Sequence, residues 1–96
     1  MAIKVYGTNL CPETLHALSV FTQHHYMPDF VNITGSIQLL KEFMALRDTL
    51  DDYAGARSRH SVGVPLFQLE DGSYTTSAKK AFASVGIDAE LSYTNG

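Results

Sequence analysis

The sequence contains one cysteine, no tryptophan and no long apolar run. A single cysteine excludes an intramolecular disulfide framework and fits a reducing compartment. No stretch approaches the roughly 20 apolar residues that a membrane-spanning helix needs. The formal charge of −3 argues against a nucleic-acid binder that relies on a general basic field. Three classes of protein are therefore disfavoured before any motif is considered.

The first residues, Met-Ala-Ile-Lys-Val-Tyr, contain neither an apolar run nor a small-residue cleavage site, so no export is expected. The four histidines have no metal-ligand spacing beside the cysteine, and no metal site is predicted; they are His16, His24, His25 and His60. A chain of 96 residues can form one core. We expect a cytoplasmic monomer with no nucleic-acid or membrane partner.

The stretch around the cysteine is the most informative part of the chain. Residues 3–6 are short, β-branched and aromatic, and they predict a strand that ends at Gly7. A Gly-Thr-Asn turn follows, and Pro12 then suits the first position of a helix because its missing N–H needs no partner there. Cys11 becomes the helix cap, where the free N–H groups and the helix dipole favour a thiolate. A reactive Cys11 is the leading interpretation.

A second interpretation of Cys11 is structural. A lone cysteine in an intracellular protein often behaves as an inert, buried, small hydrophobic residue. Only the strand–turn–Cys–Pro–helix context favours reactivity over that role. Such a turn lies at the carboxyl edge of a sheet, where open α/β folds hold their ligands.

Apolar spacing and turn residues predict the remaining elements. An amphipathic helix is predicted from Pro12 to about His25, with Leu15, Leu18 and Phe21 on its apolar stripe. The later elements are a strand at 30–33, a helix at 37–50, a polar loop at 51–61, a strand at 64–69, a hairpin turn at 70–73 with Asp-Gly at its tip, a strand at 73–76, and a helix capped by Ser77 and ended by Gly86.

The predicted order is β-α-β-α-β-β-α. Its first three elements form a βαβ unit, which implies two parallel strands. The hairpin adds an antiparallel pair. The fold class is therefore α/β, with a four-stranded mixed sheet and helices on both faces. Residues 1–86 form this domain, and residues 87–96 are expected to be a C-terminal tail.

This order resembles the glutaredoxins, which have the thioredoxin fold. The resemblance covers nearly the whole chain up to about Gly86 and lies in residues 5–14, 63–65 and 69–72. Residues 40–49 look like the small bacterial group called glutaredoxin-related proteins. The resemblance implies a thioredoxin-like fold and a thiol–disulfide oxidoreductase, with Pro65 as a cis proline that faces Cys11.

Three departures from that family change what the resemblance implies. Thr14 stands where dithiol members have a second cysteine, so only monothiol exchange through Cys11 remains. The Thr14 hydroxyl could donate to the thiolate or satisfy a backbone group. Residues 7–9 lack the family's lysine, and residues 75–78 replace its acidic clamp. Glu13 puts a negative charge beside the sulfur, which opposes thiolate formation.

Glutathione is the co-substrate that the resemblance implies, and glutathione or glutathionylated proteins are the expected partners. Without the lysine, loop arginines are the nearest cations for its carboxylates, although solvation of that loop is the alternative. The residues expected to contact glutathione are Pro12, Glu13, Arg57, Arg59, Val64 and Pro65.

Two other functions stay open. The missing second cysteine and clamp are compatible with a non-catalytic thioredoxin-fold module that binds a peptide or protein. Some monothiol relatives carry an iron–sulfur cluster, but those usually have Cys-Gly-Phe-Ser and a tryptophan. This chain has Cys-Pro-Glu-Thr and no tryptophan, which makes the cluster carrier the weakest alternative.

Overall fold

The computed structural model describes residues 2–49 and 64–89 of the chain. Within those two ranges it contains four strands and three helices. In chain order they are β1 (Lys4–Gly7), α1 (Pro12–Gln23), β2 (Asp29–Asn32), α2 (Ile37–Thr49), β3 (Leu66–Gln68), β4 (Tyr74–Thr75) and α3 (Ala78–Ser84). The predicted order of elements is confirmed for the described residues.

The strands form one mixed sheet in the order β2-β1-β3-β4. β1 is parallel to β2, with Gly7 beside Asn32, and antiparallel to β3, with Tyr6 beside Leu66. β4 is antiparallel to β3. The carboxyl ends of β1 and β2 and the start of β3 therefore meet at one edge, which we call the carboxyl edge.

Alternation along β1 divides the apolar side chains between the two faces of the sheet. Val5 points to the face covered by α1 and α3, where the buried cluster is Ile3, Val5, Ala17, Val20, Phe21, Phe67, Ala81, Phe82 and Ile87. Tyr6 points to the face covered by α2, in a cluster with Ile33, Phe43 and Leu66. Phe21 is central to the first cluster, with its ring centroid 4.9 Å from that of Phe82. Helices thus lie on both faces.

The buried face of α1 differs from the predicted stripe. Thr14, Ala17, Val20 and Phe21 are buried, whereas Leu15 is 48 % exposed. Three- and four-residue spacings place either Thr14 or Leu15 in line with the stripe. Contact with the sheet decides between them, because the smaller Thr14 fits against β1.

The end of α1 also differs from its prediction. The helix ends at Gln23, and His25 has a left-handed φ of 61°. The Tyr26 N–H donates to the Phe21 carbonyl at 2.9 Å, and the His25 N–H donates to Thr22 at 3.0 Å. These two bonds form a Schellman motif, which stops a helix and needs a left-handed residue just after it. His25 occupies a position that glycine usually fills.

Replacing His25 with glycine is expected to raise the free energy of unfolding by about 0.5–1 kcal/mol, because glycine adopts a left-handed φ without a Cβ clash. Urea unfolding of both proteins measures the difference. His24→Gly is the matched control, since His24 has a φ of −98° and should gain nothing. Equal stability of His25→Gly and the wild type would contradict the prediction.

The hairpin between β3 and β4 has its tip one residue earlier than predicted. The Gly72 N–H donates to the Leu69 carbonyl at 2.9 Å, and Leu69 N–H to Ser73 at 2.7 Å. Glu70 and Asp71 are thus the central turn residues, and Gly72 follows with a φ of 93°. This is a three-residue loop with a glycine bulge.

The last helix follows its predicted caps. The Lys80 N–H donates to the Ser77 Oγ at 3.2 Å, and Gly86 has a φ of 80° after the helix. Ile87, the first residue of the predicted tail, is buried in the core cluster. The predicted loop at 51–61 and residues 90–96 lie outside the described residues. No helix within the described ranges is long and apolar enough to span a membrane.

At the edge of the sheet opposite the carboxyl edge, Tyr26 connects the end of α1 to the start of β1 and to the β3–β4 hairpin through hydrogen bonds. Its hydroxyl accepts from the Ile3 N–H at 2.7 Å and donates to Glu70 Oε2 at 2.8 Å. Burial raises the pKa of Tyr26, and the Glu70 carboxylate adds to that increase, while the Ile3 N–H lowers it in part. Tyr26 therefore holds the start of β1 against the hairpin.

Candidate thiol site

Cys11 is the N-cap residue of α1 at the carboxyl edge. Its backbone is extended, with φ −103° and ψ 117°, and its side chain is partly exposed. The Cys11 N–H donates to the Thr8 carbonyl at 3.1 Å, and the Leu15 N–H donates to the Cys11 carbonyl at 3.1 Å. The sulfur forms no capping hydrogen bond. An accessible thiol with no capping bond can approach a disulfide.

The two residues after Cys11 begin the first turn of α1, and the second of them carries a negative charge. Pro12 occupies the first helical position, as predicted, and is exposed. Glu13 is an acidic residue in the first turn and is partly buried. The positive end of the helix dipole favours negative charge at this point. The Glu13 carboxylate and a Cys11 thiolate would share that stabilisation.

Thr14 lies one turn beyond Cys11, but its hydroxyl does not form the hydrogen bond to the sulfur that the spacing allows. The side chain is fully buried against Gly7. Its Oγ1 has no hydrogen-bond partner in the part of the chain that the structure describes. Neither donation to sulfur nor satisfaction of a backbone group is therefore formed. A buried hydroxyl without a partner is destabilising.

Thr14→Val should raise the free energy of unfolding by about 1 kcal/mol or more, because a methyl group replaces a buried, unpaired hydroxyl. Thermal and urea unfolding measure the change. Thr75→Val is a matched control, since Thr75 is also buried but its Oγ1 accepts from the Ser77 N–H at 3.0 Å. That control should lose stability. A loss in Thr14→Val as large as that in the control would refute the prediction.

The start of β3 brings Val64 and Pro65 to the carboxyl edge. The peptide bond between them is cis, as the resemblance implies. Pro65 is buried, and Val64 is partly buried against the cluster of Tyr6 and Leu66. Among the described residues, none forms a backbone hydrogen bond with Val64. Within residues 2–49 and 64–89, the Val64 N–H and C=O thus have no backbone partner that would exclude an extended peptide.

The structure does not test the other predicted glutathione contacts. Arg57 and Arg59 lie outside the described residues, so their proposed role stays a prediction. Cys11, Pro12, Glu13, Val64 and Pro65 all lie at or next to the carboxyl edge. Within residues 2–49 and 64–89, no three His, Cys, Asp or Glu side chains are grouped closely enough to hold a metal ion.

Two features of the carboxyl edge are not among the predictions made from the sequence. Leu10 is 77 % exposed and Ile37 is 68 % exposed, so apolar side chains stand beside Cys11 and at the start of α2. Thr8 and Thr34 join the loops after β1 and β2, with 2.9 Å between their hydroxyl oxygens. The threonine after Gly7 and the Asn-x-Thr of residues 32–34 were the available signals, since both residue types form local hydrogen-bonded turns.

Comparison with protein-family models, with curated proteins and with solved structures finds no match to this chain. The function of the chain is therefore inferred from the residues at the carboxyl edge.

Proposed function

We propose that this chain is a glutaredoxin-like thiol–disulfide oxidoreductase that uses Cys11 as its single nucleophile. The observation that carries the proposal is the position of Cys11. It is a partly exposed helix cap with no capping bond from its sulfur, at the edge where Val64 forms no backbone hydrogen bond with any other described residue. A thiol nucleophile and a backbone segment that could pair with an extended peptide would thus lie at the same edge.

The arrangement of the sheet also supports a thioredoxin-like fold for this domain. A parallel β1–β2 pair and an antiparallel β3–β4 hairpin are joined through β1 and β3. That is the mixed sheet implied by the resemblance. The reactive cysteine of such a fold follows β1, and the cis proline precedes β3, which matches Cys11 and Pro65.

The proposed reaction is exchange with a glutathione mixed disulfide. The Cys11 thiolate attacks the glutathione sulfur, a new sulfur–sulfur bond forms, and the old bond breaks as the partner leaves with its electron pair as a thiolate. A second glutathione thiolate then attacks the glutathione sulfur held by Cys11. This step forms glutathione disulfide and releases the Cys11 thiolate. Overall, the mixed disulfide is reduced and two glutathione molecules become joined.

The proposed substrate pose places the cysteinyl residue of glutathione antiparallel to Val64. That backbone can offer one donor and one acceptor, and the glutathione sulfur would then approach Cys11. The glutathione carboxylates need cations, and Arg57 and Arg59 are the proposed partners. Exposed ion pairs contribute on the order of 1 kcal/mol or less. We therefore expect weak binding that falls as the salt concentration rises.

The test is a titration with reduced glutathione, observed through backbone amide chemical shifts, combined with mass spectrometry after incubation with glutathione disulfide. We expect shifts centred on Cys11, Thr14 and Val64, and one glutathionyl group on Cys11. Shifts confined to residues far from Val64, with no adduct on Cys11, would refute the proposal. Arg57→Ala/Arg59→Ala should bind several-fold more weakly and lose most of the salt dependence.

A non-catalytic peptide-binding module is the second candidate function. The observation that favours it is the exposure of two apolar side chains, Leu10 after β1 and Ile37 after β2, in segments that follow the carboxyl ends of these strands. The two candidates differ in their need for sulfur. If the protein is a binding module, the Cys11→Ser variant should bind the partner as tightly as the wild type. If it is an oxidoreductase, the Cys11→Ser variant should lose all thiol–disulfide exchange.

A further inference from the structure

Four groups at the carboxyl edge form a continuous chain of hydrogen bonds. The Leu10 N–H donates to Thr8 Oγ1 at 3.2 Å, Thr8 Oγ1 lies 2.9 Å from Thr34 Oγ1, and Thr34 Oγ1 donates to Asn32 Oδ1 at 2.8 Å. The Thr34 N–H also donates to Asn32 Oδ1, at 3.1 Å. We call these groups the hydroxyl relay. It joins the turn that carries Cys11 to the end of β2.

The direction of the relay follows from counting protons. A threonine hydroxyl has one proton to donate. The Thr34 proton is used toward Asn32 Oδ1, which can only accept. The proton between the two threonines must therefore come from Thr8. Each hydroxyl thus accepts one bond and donates one, and neither can be replaced by a methyl group without leaving a neighbour unpaired.

The relay restrains the backbone directly before Cys11. Thr8 is almost fully buried, at 9 % exposure. Its Oγ1 accepts a hydrogen bond from the Leu10 N–H, and its carbonyl oxygen accepts one from the Cys11 N–H. Two bonds from one residue thus fix the turn of residues 8–11. The φ of Cys11, and with it the direction of the sulfur, depends on that turn.

We propose that Thr8 and Thr34 are positioning residues for Cys11, acting through the relay to hold the sulfur in the orientation that disulfide attack requires. This inference rests on the proposed function. Displacement at sulfur requires an in-line approach, and a small loss of orientation lowers the rate of such a reaction. Neither threonine touches the reacting atoms.

Thr8→Val and Thr8→Ser test the relay. Thr8→Val should increase amide hydrogen exchange at Leu10 about tenfold and slow both iodoacetamide alkylation of Cys11 and its exchange with glutathione disulfide by about five- to tenfold, the equivalent of one net hydrogen bond. Thr8→Ser keeps the hydroxyl and should restore all three rates. Thr34→Val changes an exposed residue and should lower both reaction rates of Cys11 by about threefold. The effect is smaller than in Thr8→Val because the hydrogen bond from the Leu10 N–H to Thr8 remains.

Thr22→Val is the matched control. Thr22 donates to the Leu18 carbonyl at 2.9 Å toward the other end of α1, so this variant also loses one threonine hydrogen bond. It should leave the reactivity of Cys11 unchanged. Folded Thr8→Val and Thr34→Val proteins that react at wild-type rates would overturn the inference, even if their stability has fallen.

The alkylation measurement separates this inference from the proposed function. A wild-type protein that does not exchange with glutathione disulfide refutes the oxidoreductase. If its Cys11 alkylation still falls in Thr8→Val and recovers in Thr8→Ser, the relay positions the thiol regardless. If alkylation does not respond while glutathione exchange is present, the positioning role is wrong and the oxidoreductase stands.

Discussion

Cys11→Ser is expected to abolish exchange with glutathione mixed disulfides and to leave the fold intact. Cys11 is the only cysteine in the chain, so no other side chain can form a mixed disulfide. A serine hydroxyl at neutral pH is not a nucleophile toward disulfide sulfur. Exchange is measured by coupling the formation of glutathione disulfide to its reduction, with purified wild-type and variant proteins in parallel.

The stability of the same variant supplies an internal control. The Cys11 sulfur makes no capping bond, whereas serine is among the preferred N-cap residues. We therefore expect Cys11→Ser to be as stable as the wild type or more stable, by up to about 1 kcal/mol. Cys11→Ala lacks both the cap and the thiol and should be the least stable of the three.

These results distinguish chemistry from folding. Loss of exchange in Cys11→Ser together with retained stability assigns the reaction to the sulfur. Exchange with glutathione mixed disulfides that persists in Cys11→Ser would refute the oxidoreductase proposal. A large loss of stability in Cys11→Ser would contradict the geometry of an uncapped helix terminus.

Gly7→Ala is expected to destabilise the protein by about 2–3 kcal/mol, the upper range for overpacking a core. A Cβ at Gly7 would lie 2.5 Å from both Cγ2 and Oγ1 of Thr14, and 3.1 Å from its Cβ. Real Cβ atoms do not approach other heavy atoms so closely. β1 and the first turn of α1 would have to separate, which also displaces Cys11. Urea unfolding measures the stability, and exchange should slow in parallel.

A double-mutant cycle tests the cause of that loss. Thr14→Ala removes the two nearest atoms and should relieve much of the clash, so Gly7→Ala/Thr14→Ala should be more stable than the sum of the single changes implies. Gly35→Ala is the control, because its nearest contact is the Asn32 carbonyl oxygen at 3.2 Å. Its cost should be smaller. Additive effects in the cycle would show that Thr14 is not the obstacle.

The sequence by itself determined the elements whose signals are local. Pro12 can begin a helix because its missing N–H has no partner in the first turn. Ser77 caps α3 and Gly86 follows it, because a hydroxyl accepts from a free N–H and glycine permits a positive φ. The position of Cys11 between a strand and a helix, and thus the candidate site, followed from such signals alone.

Tertiary structure decided the points at which local signals were ambiguous or silent. Spacing alone did not separate Thr14 from Leu15 as the buried residue, and the close approach of α1 to Gly7 selected the smaller one. At the end of α1, the two Schellman hydrogen bonds and the contact of the Tyr26 ring with Phe21 hold His25 at a left-handed φ, which a residue with a Cβ disfavours.

The contact between Thr8 and Thr34 spans 26 residues, and no local pattern specifies a bond of that range. It forms because β1 and β2 are parallel neighbours, which brings the loops after both strands to one edge. The sequence alone predicts the position of the Cys11 thiol. Only the pairing of the strands brings the hydroxyl groups of Thr8 and Thr34 together to restrain the turn of residues 8–11.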